Sequence, residues 1–217
     1  NNMENNQPNQ LYTLFSYKDG ESKFDYDRYK RVQQAGNLRK IQNIWVQRET
    51  LEVIAEYLKA RQKTTTEGIC HGTRRGLEQK WFTELTGANV IGTEISDSAT
   101  QFSATIQHDF HEIKAEWQNK FDFIYSNSFD HSYDPKLAIN AWMRSLKDTG
   151  FCFIEHTHLH GSAGVNETDP FGAQLEIMPY LILLWGQGKF SVCDILTSPV
   201  KVLGHEISIF VVRKEIF

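Results

Sequence analysis

Histidines supply most of the candidate acid–base chemistry in this chain, and they are clustered. Of the eight histidines, all except His205 lie in four short segments of the chain. One of these is His131, in a polar segment that follows an apolar run and precedes Pro135. Because an imidazole titrates near neutral pH, His131 is the candidate catalytic residue, as a general base. A histidine at this position can equally well do no more than hydrogen-bond its own loop.

Three further histidines, His156, His158 and His160, alternate with other residues. If a strand continues through them, all three rings point to one face, and three imidazoles can bind zinc or a similar ion. The spacing matches no established metal motif, and a solvated strand end explains it as well. We therefore assign no metal site.

A glycine turn lies between an apolar run and a helical pattern, in the segment 71–78 (HGTRRGLE). Gly72 and Gly76 let the backbone turn tightly and approach a ligand closely. The helix N-terminus that follows favours a carboxylate or a phosphate. A simple turn before a helix would show the same pattern.

Acidic residues follow the next two apolar runs, at positions suited to a nucleoside. Glu94 lies 22 positions after Gly72, and an acid at about this distance accepts hydrogen bonds from the two hydroxyls of a ribose. Asp109 is placed to accept from the exocyclic amine of a base, on which Phe110 could stack. The alternative for Glu94 is a surface glutamate at a strand end.

Alternating strand and helix patterns position these residues. Apolar runs predict strands, and apolar stripes with i, i+4 spacing predict helices between them. Strand–helix alternation predicts a mostly parallel sheet covered on both faces, with its ligand at the carboxyl ends of the strands. Only seven residues, 198–204, separate the last two strand patterns, so this pair is predicted to be an antiparallel hairpin.

The segment from the fourth to the fifth predicted strand resembles class I S-adenosylmethionine-dependent methyltransferases. The resemblance is carried by Phe121–Asn127, Asp130-His131, Asp134-Pro135 and 144–154, and it covers roughly 68–160. It implies an α/β fold, Rossmann-like, with a seven-stranded mostly parallel sheet, helices on both faces and a C-terminal antiparallel hairpin. It also implies S-adenosyl-L-methionine as cofactor.

The resemblance assigns roles to the residues that follow the strands. Gly72 and Gly76 would border the methionine moiety, Glu94 would hold the ribose, Asp109 and Phe110 the adenine, and Ser126 and Asn127 would line the cleft under the sulfonium. The remaining predicted cofactor-binding residues neighbour these positions: His71, Thr73, Arg74 and Ile95.

Two positions depart from the family's glycine motif. The usual acid is replaced by Cys70, and the middle glycine by Arg74. The acid normally helps to place the amino group of the cofactor, so that contact must come from elsewhere or the cofactor must sit differently. Arg74 is suited to pair with the cofactor's carboxylate, or it points away as a surface arginine.

Composition limits the class of protein and of partner. The chain has 217 residues, 40% hydrophobic, and a net charge of −4, which argues against a nucleic-acid binder and favours a small-molecule acceptor. No apolar run reaches the roughly 18 residues of a membrane span, and the N-terminus lacks the apolar core of a signal peptide. Three widely spaced cysteines among apolar neighbours predict buried free thiols and a cytoplasmic location. The oligomeric state is left open.

The predicted organisation has two parts. Residues 1–62 form an N-terminal tail and helical extension that could cap the substrate, and 63–217 form the S-adenosylmethionine-binding domain. The predicted function is methyl transfer to a small molecule. Two alternatives remain: a nicotinamide-dependent oxidoreductase of similar sheet architecture, and a non-catalytic partner protein that kept the fold, which Cys70 and Arg74 motivate.

Overall fold

The structure is a computed structural model that describes residues 11–216. The expectations for residues 1–10 lie outside this range. The strands are β1 (Tyr12–Leu14), β2 (Glu67–His71), β3 (Asn89–Glu94), β4 (Thr105–Gln107), β5 (Phe121–Ser126), β6 (Leu146–His156), β7 (Phe171–Ala173), β8 (Phe190–Val202) and β9 (His205–Lys214).

Seven of these strands form the central sheet, in the order β4-β3-β2-β5-β6-β9-β8. The first five in this order are parallel, whereas β9 runs antiparallel to both β6 and β8. The predicted seven-stranded, mostly parallel sheet with a C-terminal antiparallel hairpin is therefore confirmed. The order reverses between β2 and β5, which is where such sheets bind ligands.

Helices cover both faces of the sheet. They are α1 (Tyr26–Arg39), α2 (Arg48–Arg61), α3 (Leu77–Thr86), α4 (Pro135–Ser145) and α5 (Met178–Gly186). Side chains alternate along the central strands, so Cys70 and Phe123 pack in one apolar cluster with α2 and α3, while Ile69 and Ile124 pack in the other with α4 and α5. None of the described helices is long and apolar enough to cross a membrane.

Local sequence signals set the limits of α3 and α4. Gly76 (φ +83°) precedes α3, and Gly87 (φ +72°) ends it in the left-handed conformation that glycine adopts without strain. The side chain of Asp134 accepts a hydrogen bond from the Leu137 N–H at the start of α4, and Pro135 occupies its first turn.

The C-terminal hairpin is tighter than the sequence predicts. β8 and β9 remain paired up to Val202 and His205, leaving a two-residue turn at Leu203-Gly204 in which both φ angles are positive. The predicted seven-residue connection is wrong in length because the segment around Pro199 continues β8. The register shifts there, which accommodates a residue without an N–H.

The histidines after β6 do not share a strand face. β6 ends at His156, and His158–His160 form a 3₁₀ turn capped by Thr157. His156 is buried with its Nε2 2.9 Å from the Ala173 oxygen, whereas His158 is exposed. The condition for a three-imidazole face is therefore not met.

A small second sheet, unforeseen from the sequence, joins the N-terminal segment to the loop after β6. β1 pairs antiparallel with β7. Gly172 is required at this contact, since a Cβ there would lie 2.5 Å from the Gly161 oxygen. The pairing holds the segment before α1 beside the loop that leads to α5.

The cysteines are free, but they are not all buried. Cys70 and Cys152 lie in the core, as expected, whereas Cys193 is exposed. The expectation fails for Cys193 because β8 is the edge strand of the sheet, where an apolar neighbourhood in sequence does not guarantee cover.

Candidate functional site

The turn after β2 brings the backbone close to the loop after β5. Gly72 has φ +70°, and a Cβ at this position would lie 2.6 Å from the Ser128 Cβ. The Ser128 hydroxyl donates a hydrogen bond to the Gly72 oxygen at 3.0 Å. Glycine is therefore needed here for its conformation and for the close approach.

Glu94 lies at the end of β3, and backbone N–H groups hold its carboxylate. One oxygen accepts from the Arg74 N–H at 3.0 Å and the other from the Ser96 N–H at 3.1 Å. Burial raises the pKa of Glu94, and these hydrogen bonds offset only part of that effect. The carboxyl is fixed in place, and each of its oxygens retains capacity to accept another hydrogen bond.

Glu94 faces a cavity of about 600 Å³, here called the inner cavity. Part of this volume is open to solvent. The residues that line this cavity come from α1 and its C-terminal end, from the carboxyl ends of β2, β3, β4 and β5 and the segments after them, and from the loop before β7: Tyr29, Gln33, Gly36, Asn37, Lys40, Gly72, Arg74, Thr93, Glu94, Ile95, His108, Asp109, Phe110, Ser128, His131 and Thr168. Asn37 Oδ1 is buried without a hydrogen-bond partner, so this cavity has an acceptor to offer a ligand.

Asp109 lines the inner cavity with both carboxylate oxygens engaged. One accepts from the backbone N–H of His111 and lies 2.6 Å from its Nδ1, and the other accepts from the Tyr26 hydroxyl at 2.8 Å. Burial acts to raise the pKa of Asp109, but these hydrogen bonds outweigh it and hold the pKa below its ordinary value. Neighbouring Phe110 packs edge-on against Trp142.

His111 also completes a serine–histidine–aspartate arrangement. Its Nε2 lies 2.8 Å from the Ser132 hydroxyl, opposite the contact with Asp109. Ser132 is fully buried and lines none of the described cavities. A nucleophile must reach its substrate, so this arrangement fastens the loop after β5 and gives no sign of hydrolase chemistry.

Two predicted site residues lie beneath the inner cavity. His71 Nδ1 is 2.8 Å from the Thr93 hydroxyl, and its ring stacks on Trp142. Burial lowers the pKa of His71 to about 3, so the ring is neutral. The Ser126 hydroxyl donates to the His71 oxygen at 2.9 Å. Neither side chain lines the cavity, and both support its floor.

A second cavity of about 370 Å³, the small cavity, adjoins the inner one at Gly72, Arg74 and Ser128. It is lined by the predicted residues Thr73 and Asn127, whereas Gly76 lines neither cavity. Asn127 Nδ2 is buried without a partner.

The Arg74 side chain is engaged by the protein itself. One guanidinium nitrogen donates to the backbone oxygens of Lys40 and Asn43, at 3.1 and 3.0 Å. Arg74 therefore ties the link between α1 and α2 to the loop after β2.

A third cavity, the outer cavity, opens beyond His131 and has a volume of about 950 Å³. His131 Nδ1 lies 3.0 Å from the Thr168 oxygen and 3.4 Å from Asp169 Oδ1. A carbonyl oxygen only accepts, so Nδ1 carries the proton and Nε2 of the neutral ring is left as an acceptor. His131 lines both the inner and the outer cavity.

Asp130 adds a buried negative charge to the outer cavity. Burial acts to raise the pKa of Asp130, but His160, His131 and His156 outweigh it and hold the pKa below its ordinary value. Its carboxylate lies 3.7 Å from His160 Nε2. Donor atoms of Asp130, His131 and Asp169 lie within 4.8 Å of one another, so the wall of the cavity is a compact acid–base cluster.

Several residues that line these cavities were missed by sequence reasoning, and three of them matter most for the site. Tyr29 and Asn37 come from α1, and Glu78 from the first turn of α3. A glutamate in a first helical turn usually only complements the helix dipole. One signal in the sequence could have pointed to Glu78. Cys70 replaces the acid of the glycine motif, so another acid is needed to contact the amino group of the cofactor.

The comparisons with known proteins agree with this geometry. Residues 69–154 match the family model of a methyltransferase domain. No curated protein matches the chain.

Solved structures share the fold at low identity. The 1,6-didemethyltoxoflavin-N1-methyltransferase of Burkholderia thailandensis, with bound S-adenosylhomocysteine, superposes with TM-score 0.67 at 15% identity, over 88% of this chain and 90% of that one. The plantazolicin methyltransferase BpumL superposes with TM-score 0.63 at 11% identity, over 87% of this chain and 96% of that one. The N-methyltransferase NodS of Bradyrhizobium japonicum superposes with TM-score 0.61 at 10% identity, over 85% of this chain and 99% of that one.

These likenesses establish the fold, and the family match covers the segment that carries the predicted site. The predicted class I methyltransferase-like fold is therefore confirmed, and residues 69–154 match a methyltransferase domain. The acceptor and the roles of single residues remain predictions.

Proposed function

We propose that this chain, whose residues 69–154 match a methyltransferase domain, transfers a methyl group from S-adenosyl-L-methionine to a small molecule held in the outer cavity. The observation that carries the proposal is the inner cavity with Glu94 at its wall, where two backbone N–H groups hold the Glu94 carboxylate.

The residues of the inner and small cavities fit the cofactor. Asn37 Oδ1 and Asn127 Nδ2 are buried polar atoms without partners, and such atoms are costly unless a ligand satisfies them. We assign Glu94 to the ribose, and Asp109 with Phe110 to the adenine. Asp109 then accepts from the base in addition to, or in exchange for, the Tyr26 hydroxyl.

The outer cavity suits a small acceptor. It adjoins the inner cavity at Arg74, Ser128 and His131, so an acceptor there lies next to the cofactor's place. The net charge of −4 and the largely buried Asp130 carboxylate disfavour a polyanion. The N-terminal extension supports the predicted cap, since α1 lies over the inner cavity and the link after it borders the outer one.

We assign His131 as the general base. The bound cofactor supplies a methyl group on a sulfonium, whose leaving group is neutral, so the protein mainly aligns the reactants and excludes water. His131 Nε2 accepts the proton if the acceptor must lose one, and the hydrogen bond from Nδ1 to the Thr168 oxygen holds the ring in that tautomer.

The binding test uses thermal denaturation with S-adenosylhomocysteine. A ligand that binds only the folded chain raises the melting temperature by mass action, so we expect the wild type to shift and Glu94→Ala to show no shift. Glu56→Ala, which removes an exposed glutamate of α2, is the control and keeps the shift. Mass spectrometry of small molecules retained through purification then searches for the acceptor.

Other outcomes would contradict the proposal. No shift at millimolar S-adenosylhomocysteine rejects cofactor binding. A shift with NAD instead favours the oxidoreductase alternative. Binding without turnover on any acceptor, together with a tight protein partner, favours a non-catalytic relative.

A further inference from the structure

Cys70 occupies the position at which the family's glycine motif has an acid, and it cannot replace that acid. Cys70 is fully buried in β2, and burial raises the pKa of its thiol, with a further contribution from Glu78. The thiol is therefore neutral and provides no charge for a cationic group. Any acid that takes this role must reach the same region from another element.

Glu78 reaches that region from α3. It lies in the first turn of the helix, its side chain is buried, and it lines the small cavity beside Thr73, Arg74 and Asn127. Its carboxyl is near enough to the Cys70 thiol to affect the pKa of that thiol.

The Glu78 carboxyl has no ionic partner in the described part of the chain. No lysine, arginine or histidine there lies within 4.0 Å of it, and no other described residue donates a hydrogen bond to it. Burial raises its pKa to about 8. An unpaired carboxylate would be costly here, so the group is neutral at pH 7. A cationic ligand in the small cavity would stabilise its ionised form.

The small cavity also offers the unpartnered Asn127 Nδ2, which can donate to a carboxylate. It therefore presents an acid and an amide donor to one small space, which is the complement of an α-amino acid group. The small cavity meets the inner cavity at Gly72, on the side where the methionine moiety of the cofactor would extend.

We propose that Glu78 binds the α-ammonium group of the cofactor's methionine moiety, in the role that Cys70 cannot fill. This inference rests on the proposed function, because it takes the inner cavity as the site of the adenosine. It makes Glu78 a cofactor-binding residue of this chain, supplied by the helix after the glycine turn and not by the strand before it.

Two ligands that differ in the amino-acid group test the proposal by calorimetry. S-Adenosylhomocysteine carries the ammonium, whereas 5′-methylthioadenosine keeps the adenosine and sulfur without it. Loss of one charge-assisted hydrogen bond costs about tenfold or more in affinity. We expect Glu78→Gln to weaken the binding of S-adenosylhomocysteine by about that factor and the binding of methylthioadenosine by less than about twofold. Glu56→Gln, the same change at an exposed position, leaves both affinities unchanged.

A second measurement counts protons. The neutral Glu78 carboxyl must ionise to pair with an ammonium, so the wild type at pH 7 releases close to one more proton on binding S-adenosylhomocysteine than Glu78→Gln does. The ligand's own titration is common to both proteins. Repeating the calorimetry in buffers of different ionisation enthalpy gives the proton count.

The outcomes separate the two proposals. Equal weakening of both ligands by Glu78→Gln means that Glu78 only supports the fold, and unchanged affinity for S-adenosylhomocysteine means that it does not contact the ligand. Either result overturns this inference while the proposed function stands. A wild-type chain that binds neither ligand overturns both. If Glu78→Gln does not fold, Glu78→Asp replaces it, with the same selective loss expected.

Discussion

At the scale of single residues, hydrogen bonds within the protein already orient the acids of the site. Glu94 accepts two backbone N–H groups, and Asp109 is held by His111 and Tyr26. Groups fixed in this way lose little further conformational entropy when a ligand binds. His71, below them, is neutral and packed.

The neutral state of His71 makes stability depend on pH. Burial lowers its pKa from 6.5 to about 3 in the folded chain, so the unfolded chain binds more protons between these values. The contribution of His71 is therefore present above pH 6.5 and is lost as the pH falls. Between pH 7.5 and pH 5 this loss amounts to about 2 kcal/mol.

Urea denaturation at the two pH values checks this prediction. We expect His71→Asn to lower the free energy of unfolding at pH 7.5 and to lose less stability than the wild type on going to pH 5. His158→Asn, at an exposed ring, keeps the wild-type pH dependence. An unchanged pH dependence in His71→Asn would show that His71 does not carry it.

At the scale of elements, the loop between β2 and α3 joins the three cavities. Arg74 lines all of them and binds the link between α1 and α2, while Gly72 touches the loop after β5. In this loop the backbone lies so close to its neighbours that there is no room for one added methyl group at Gly72.

Gly72→Ala measures that dependence. The new Cβ would lie 2.6 Å from the Ser128 Cβ at a positive φ, whereas Gly188 has a similar φ with nothing within 4 Å. We expect Gly72→Ala to destabilise the chain by about 1–3 kcal/mol more than Gly188→Ala, and to lose the thermal shift with S-adenosylhomocysteine. Equal destabilisation and an intact shift in both variants would contradict the close contact.

At the scale of the whole molecule, α1 packs over the inner cavity, which lies at the carboxyl ends of the strands of the central sheet. Hydrogen bonds hold the helix down at Tyr26 to Asp109, at Asn37 to Ser98 and at Gln33 to the Thr168 oxygen. A ligand in the inner cavity would pack against α1, because Tyr29, Gln33 and Asn37 line that cavity.

Hydrogen–deuterium exchange with and without S-adenosylhomocysteine checks this arrangement. We expect exchange in α1 and in the link to α2 to slow several-fold with the ligand, because local opening of the helix would break ligand contacts. Exchange in the exposed turn at Gln187-Gly188, which lines none of the three cavities, is the internal control and stays unchanged. Protection spread evenly over the chain, or none in α1, would show that α1 does not cover the ligand.

Much of the fold could be predicted because its signals are local. Apolar runs and stripes located the strands and helices of the core, and Glu94 lies at the end of β3, where the sequence places it. The tight hairpin was misjudged because Pro199 looks like a strand end, and only the shifted pairing with β9 shows that it is not. The exposure of Cys193 likewise depends on which strand lies at the edge.

The sequence by itself determined the sheet, the order of its elements and the residues that follow its strands, because these depend on side-chain periodicity and on the spacing between neighbours in the chain. Only the tertiary structure decided that α1 lines the inner cavity, that Tyr26 binds Asp109 and that Glu78 lies near Cys70. These contacts join segments far apart in the chain or on different elements, so no local pattern encodes them. They form when the helices pack against the sheet and leave a few polar groups buried without partners.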